Sequence, residues 1–119
     1  MRSDLNARTK NFALQIIRLY SSLSKSTEAQ IIGKQILRSG TSVGAHYREA
    51  QRSRSDAEFI SKIEGGLQEL EETGYWLELL EGAGICPLQQ LQPLQIEMRE
   101  LNAILTTCVK NVKAKRNKL

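Results

Sequence analysis

The chain has 119 residues, 40% apolar and 25% charged, which is the usage of one ordinary globular domain and excludes global disorder. A chain of this length buries roughly two-thirds of its unfolded surface, so it needs no metal or disulfide to form a core. The net charge of +4 is laid out unevenly: Met1–Arg54 holds ten Lys/Arg against three Asp/Glu, Ser55–Val109 two against ten, and Lys110–Leu119 five against none. The basic first half is expected to pair with the acidic third segment, within or between chains, which leaves the tail in positive surplus.

The first helix is expected over residues 4–23. Leu5, Thr9, Phe12, Ile16, Leu19 and Leu23 advance in steps of three and four, which places them on one face. The serine-rich stretch Ser21–Ser26 ends it. A second helix over 27–52 opens on Thr27-Glu-Ala-Gln30, a capping-box pattern. Its stripe is Ile32, Ile36, Ser39, Val43, Tyr47 and Ala50, with Lys34, Arg38, Arg48 and Arg52 on the opposite side. Gly33, Gly40 and Gly44 share a third edge. Each glycine costs about 1 kcal/mol relative to alanine inside a helix, so three on one edge predict close approach by another helix.

The third helix, over 55–82, starts at a second capping box, Ser55-Asp-Ala-Glu58, and carries the stripe Ile60, Ile63, Leu67, Leu70, Gly74 and Leu77. Gly82-Ala-Gly84 stops it, and Glu64, Glu71 and Glu78 form an acidic ridge along one flank. The fourth helix, over 88–112, carries Leu91, Leu94, Met98, Leu101, Leu105, Cys108 and Val112 at heptad spacing, with its start left open between Pro87 and Pro93. Residues 113–119 are expected as a fraying basic tail. No alternating run competes with these stripes. The expected fold is all-α, an antiparallel up-down-up-down four-helix bundle over residues 1–112.

Two cysteines, Cys86 and Cys108, are too few and too far apart for a disulfide framework or a zinc site, and Cys108 reads as a small core residue. No charged-then-apolar leader opens the chain and no apolar run reaches the ~20 residues of a membrane span, so a cytoplasmic protein is expected. Catalysis has little to work with. Histidine occurs once, as His46, and reads as an ordinary bundle residue. The paired Glu-x-x-His of bundle metal sites and the glycine-rich phosphate loop are both missing from the sequence, so no enzyme, metal or cofactor is expected.

Two surfaces are candidates for phosphate contact: Lys34, Arg38, Arg48 and Arg52 with Arg54, and the tail residues Lys110, Lys113, Lys115, Arg116 and Lys118. At 5% aromatic residues, base stacking is not the expected mode, so binding would be electrostatic. The competing reading is a protein-only adaptor whose basic faces meet an acidic partner. Self-association is expected through Tyr75 and Trp76, which cannot both enter one core, together with the edge of Gly33, Gly40 and Gly44. A membrane partner is not expected, because the tail lacks an apolar face.

The segment Arg38-Ser-Gly-Thr-Ser-Val-Gly-Ala-His-Tyr-Arg-Glu-Ala50, continued by Ser55-Asp-Ala-Glu-Phe-Ile60, Glu69, Glu72-Thr73 and Tyr75-Trp76-Leu77-Glu78-Leu79-Leu80, resembles the four-helix-bundle proteins encoded in intervening sequences of bacterial 23S ribosomal RNA genes. Arg38, Gly40, Ser42, Gly44, Arg48 and Glu49 match the motif, and His46 stands where that pattern carries asparagine. The resemblance implies the bundle fold, a homopentamer around a central opening and no assigned enzymatic activity. Related bundles, the accessory variability proteins of diversity-generating retroelements, imply contact with RNA or DNA and with a protein partner. The reading is therefore a non-enzymatic oligomeric scaffold or adaptor of undefined process.

Overall fold

A computed structural model describes residues 2–117, with side chains from Leu5 onward. Four helices run α1 (Arg2–Ser22), α2 (Thr27–Gln51), α3 (Asp56–Gly82) and α4 (Leu88–Asn117). They form an elongated bundle of 54 × 21 × 21 Å. Each helix packs on its sequence neighbour, α2 on α3 most extensively, and α1 closes the ring on α4 most loosely. Short connections between long helices make each neighbour antiparallel.

The stripe of α1 is buried at all six expected positions, Leu5, Thr9, Phe12, Ile16, Leu19 and Leu23. On α2, Ile36, Ser39, Val43, Tyr47 and Ala50 are buried and Ile32 half-buried. The N-cap of α2 is Ser26, one residue before the expected Thr27. Its backbone is extended and its hydroxyl accepts from Ala29 N at 3.3 Å. Gln30 spends its side chain on the preceding loop, donating to the Ser24 carbonyl at 2.7 Å and accepting from the Tyr20 hydroxyl at 3.0 Å. At α3, Ser55 caps Glu58 N at 3.1 Å, while the Glu58 carboxylate reaches back to Arg54 N at 2.9 Å.

The core of α3 is rotated from the expected stripe. Gly66 and Thr73 are buried where Leu67 and Gly74 were expected, and the latter two are half-buried. Two contacts turn it. Ser39 and Thr73 share a buried hydrogen bond of 2.7 Å between α2 and α3, and a Cβ added at Gly74 would lie 2.7 Å from Met98 Cε on α4. The helix ends in a Schellman motif: Gly84 takes φ +72°, Ile85 N donates to the Leu80 carbonyl at 2.9 Å and Gly84 N to Glu81 at 3.0 Å.

The fourth helix starts at Leu88, so Pro93 lies beyond its first turn, where it cannot donate to the Gln89 carbonyl. Pro93 lines the open seam between α1 and α4. The helix continues to Asn117, so residues 113–117, expected as a fraying tail, are helical; Lys118 lies outside the described residues. Toward that end the buried row passes through Leu105 and Val109, leaving Cys108 and Val112 half-buried. A straight helix drifts about 20° per heptad from a strict seven-residue repeat, which is why Cys108 leaves the core it was assigned to.

Candidate nucleic-acid interface

Up-down topology decides which charges meet. It gathers the first turns of α1, the last turns of α2, the first turns of α3 and the last turns of α4 at one end of the bundle. Within residues 5–12, 44–66 and 103–117 that end holds ten Lys/Arg against four Asp/Glu, whereas the rest of residues 5–117 holds five against eight. Most of the two candidate basic surfaces thus lies at the same end of the bundle, on the diagonal helices α2 and α4. Arg48, Arg52 and Arg54 come from α2 and its corner, and Lys110, Lys113, Lys115 and Arg116 from α4.

Local electrostatics accounts for part of this cluster. Arg48 lies in the last turn of α2, and Lys115 and Arg116 in the last turn of α4, where cations favour the partial negative charge of a helix C-terminus. Lys113 is partly neutralised by Glu64, 3.5 Å away on α3. Glu49 is taken by Lys62 at 3.2 Å and not by Arg48. Arg48, Arg52, Arg54, Lys110, Lys115 and Arg116 make no ion pair among the described residues and are exposed.

Lys34 and Arg38 do not join this cluster. Lys34 lies about 21 Å along the α2 axis from Arg48 at 1.5 Å per residue. Arg38 is committed within the chain: its guanidinium spans Glu69, at 3.1 Å, and Glu72 on α3. This pair joins the basic first half to the acidic third segment. Glu72 also accepts from the Trp76 indole at 3.4 Å, so Trp76 is half-buried against the core. Tyr75 is 55% exposed, with its ring centroid 5.2 Å from that of Trp76.

The glycine edge corrects an expectation. Gly33, Gly40 and Gly44 are buried against α1 of the same chain and do not form a surface for another copy. An added Cβ would meet Leu23 Cδ1 at 2.6 Å, Ile16 Cγ1 at 2.7 Å and Thr9 Oγ1 at 3.0 Å, respectively. His46 fills the analogous gap on the other side. A Cβ on Gly65 would lie 2.9 Å from its Cε1, and its Nε2 stands 4.0 Å from Glu69 Oε2.

A different acid cluster crosses the loose α1–α4 seam. Arg8 donates through Nε to Glu97 at 3.0 Å and through a terminal nitrogen to Glu97 at 2.6 Å and Glu100 at 2.7 Å. These carboxylates push the Arg8 guanidinium above its ordinary range, so its charge is fixed. Among the described residues no group of three or more His, Cys, Asp or Glu is placed to hold a metal ion, and no helix is long and apolar enough to cross a membrane.

One cleft opens within the basic end, with a cavity volume of about 560 Å³, between the last turns of α2, the first turn of α3 and the last turns of α4. Sequence reasoning missed it, because no stripe or motif marks a gap where three helix ends diverge.

These features define a class: an all-α four-helix bundle with one basic end. The profile of the 23S rRNA-intervening sequence protein family matches residues 3–107, and the chain belongs to that family. A solved structure from Bacteroides thetaiotaomicron, described as a protein with unknown function from the S23 ribosomal protein family, is similar over 89% of this chain and 98% of its own. It shares 38% identity at a TM-score of 0.84. Among curated proteins none matches. The family's function is undefined.

Proposed function

We propose that this protein is a non-enzymatic scaffold that binds nucleic acid electrostatically through the basic end of its bundle. The observation that carries this reading is the placement of Arg48, Arg52 and Arg54 at the same end of the bundle as Lys110, Lys115 and Arg116, exposed cations that make no ion pair among the described residues. Arg38, by contrast, serves the fold. Each phosphate contacted releases condensed counterions, so affinity on such a surface is set by charge and salt, with little sequence preference.

For assembly we infer a homo-oligomer, with the pentamer implied by the family resemblance. Leu14, Ile17, Ile31, Tyr75, Leu88 and Ile96 are exposed on the protomer and supply apolar area for subunit contacts. Five copies would carry about +20 and present five basic ends to one strand, which raises avidity by roughly 10²–10⁴ without new contacts. Light scattering on the purified chain reads the stoichiometry.

The functional test is fluorescence anisotropy with a structured RNA and a duplex DNA. The variant Arg48→Gln/Arg52→Gln/Arg54→Gln/Lys115→Gln is expected to lose at least tenfold in affinity, while Lys34→Gln stays near wild type. Equal affinity of the two variants contradicts the placement. Pull-down with and without nuclease separates the competing adaptor reading: partners retained after nuclease and displaced by heparin favour an acidic protein.

A further inference from the structure

We propose that the cleft at the basic end receives one unstacked nucleobase of a single strand whose flanking phosphates lie on the surrounding cations. The inference rests on the nucleic-acid reading above and deepens it. The cleft's volume of about 560 Å³ falls within the range of small-molecule sites, which leaves room for a base.

Its lining divides by chemistry. Tyr47, Ala50, Cys108 and Val112 make an apolar floor, and the half-buried ring of Phe59 forms an aromatic wall. Gln51, Ser53, Asp56, Asn111 and Lys115 make the polar part. A base has an apolar π-face and a hydrogen-bonding edge, so it uses both halves of such a lining. Asp56 argues against a phosphate entering. Its carboxylate would repel an anion inside the cleft, yet it accepts hydrogen bonds from the exocyclic amine of adenine, cytosine or guanine. Phosphates are left to the rim, where Arg52 and Arg54 belong to the α2–α3 corner that borders the cleft and Lys115 projects from α4. The low aromatic content of the chain is therefore no bar to stacking, because one aromatic side chain at the charged end suffices.

The test compares an adenine octanucleotide with an abasic octamer of equal charge, in ribose and deoxyribose forms, by anisotropy at low salt. Wild type is expected to bind the adenine strand about 5- to 100-fold more tightly, the range of one aromatic–base stack. Phe59→Leu is expected to abolish that difference and leave the affinity for the abasic strand unchanged. A footprint on unmodified protein serves if that variant misfolds: alkylation of Cys108, mapped by mass spectrometry, should slow with the adenine strand and not with the abasic one. Preference for either sugar supports the inference and names the nucleic acid. If wild type binds both strands alike and Cys108 is not shielded, the cleft proposal is overturned and the electrostatic reading stands. If neither strand binds, both fall.

Discussion

Ser39 and Thr73 allow a test of how α2 and α3 are held in register. Both residues are fully buried and their hydroxyls lie 2.7 Å apart. The Thr73 hydroxyl also lies 2.8 Å from the Glu69 carbonyl, to which it donates, so Ser39 must be the donor in the pair. The two deletions are then unequal. Ser39→Ala removes a donor and leaves only an acceptor lone pair unmet, which costs about 1 kcal/mol. Thr73→Val is isosteric but orphans a buried donor, which costs about 2 kcal/mol. The double variant Ser39→Ala/Thr73→Val leaves neither hydroxyl and should cost about 1 kcal/mol, well below the roughly 3 kcal/mol of additivity. Urea unfolding followed by circular dichroism, at fixed protein concentration, reads all four corners of the cycle. Additive losses would refute the pairing.

Three further outcomes follow from named contacts. Gly40→Ala gains about 1 kcal/mol in helix propensity but sets a Cβ 2.7 Å from Ile16, a fully buried side chain with no room to move. Net destabilisation of about 1 kcal/mol is expected in thermal melts, whereas Gly82→Ala, with nothing within 4 Å of its Cβ, should be neutral or mildly stabilising. Arg8→Ala and Arg8→Lys should each lower stability by about 1 kcal/mol or less, since the ion pairs are partly exposed and lysine cannot reproduce the two-pronged contact to Glu97. A drop well above that in chemical denaturation would mean that the α1–α4 seam depends on this residue alone. Burial pushes the Cys86 thiol above its ordinary range. The folded state then keeps a proton that the unfolded chain releases, so this contribution is neutral below the ordinary thiol range and turns destabilising as pH rises through it. The stability of wild type relative to Cys86→Ala should fall between neutral pH and about pH 10, and a constant difference would contradict the burial.

The helical stripes were legible because burial on one face of a 3.6-residue period is a local property. All six stripe positions of α1 are buried for that reason. Legibility fails where a neighbour decides. Thr73 is buried in place of Gly74 because Ser39 offers it a partner, and Val109 in place of Cys108 because a long helix drifts from the heptad. The glycine edge correctly announced a close helix, but a sequence cannot say whether that helix belongs to the same chain; here it is α1. The site was half legible. Both basic segments were visible in the sequence, yet their meeting at one end depends on topology, and Arg38 left the set because Glu69 and Glu72 face it from α3. The cleft bordered by Phe59 and Cys108 has no linear signature, since its walls come from three helix ends.

The central claim is that the basic end meets phosphates, and the salt dependence of binding tests it most directly. Log affinity against log salt concentration should fall linearly, with a slope of about −0.7 to −0.9 per phosphate contacted. Arg52→Gln or Arg54→Gln should each reduce the magnitude of that slope by somewhat less than one, and Arg38→Gln should leave it unchanged. A slope near zero, or one that Arg38→Gln changes as much as the end variants do, would contradict the account.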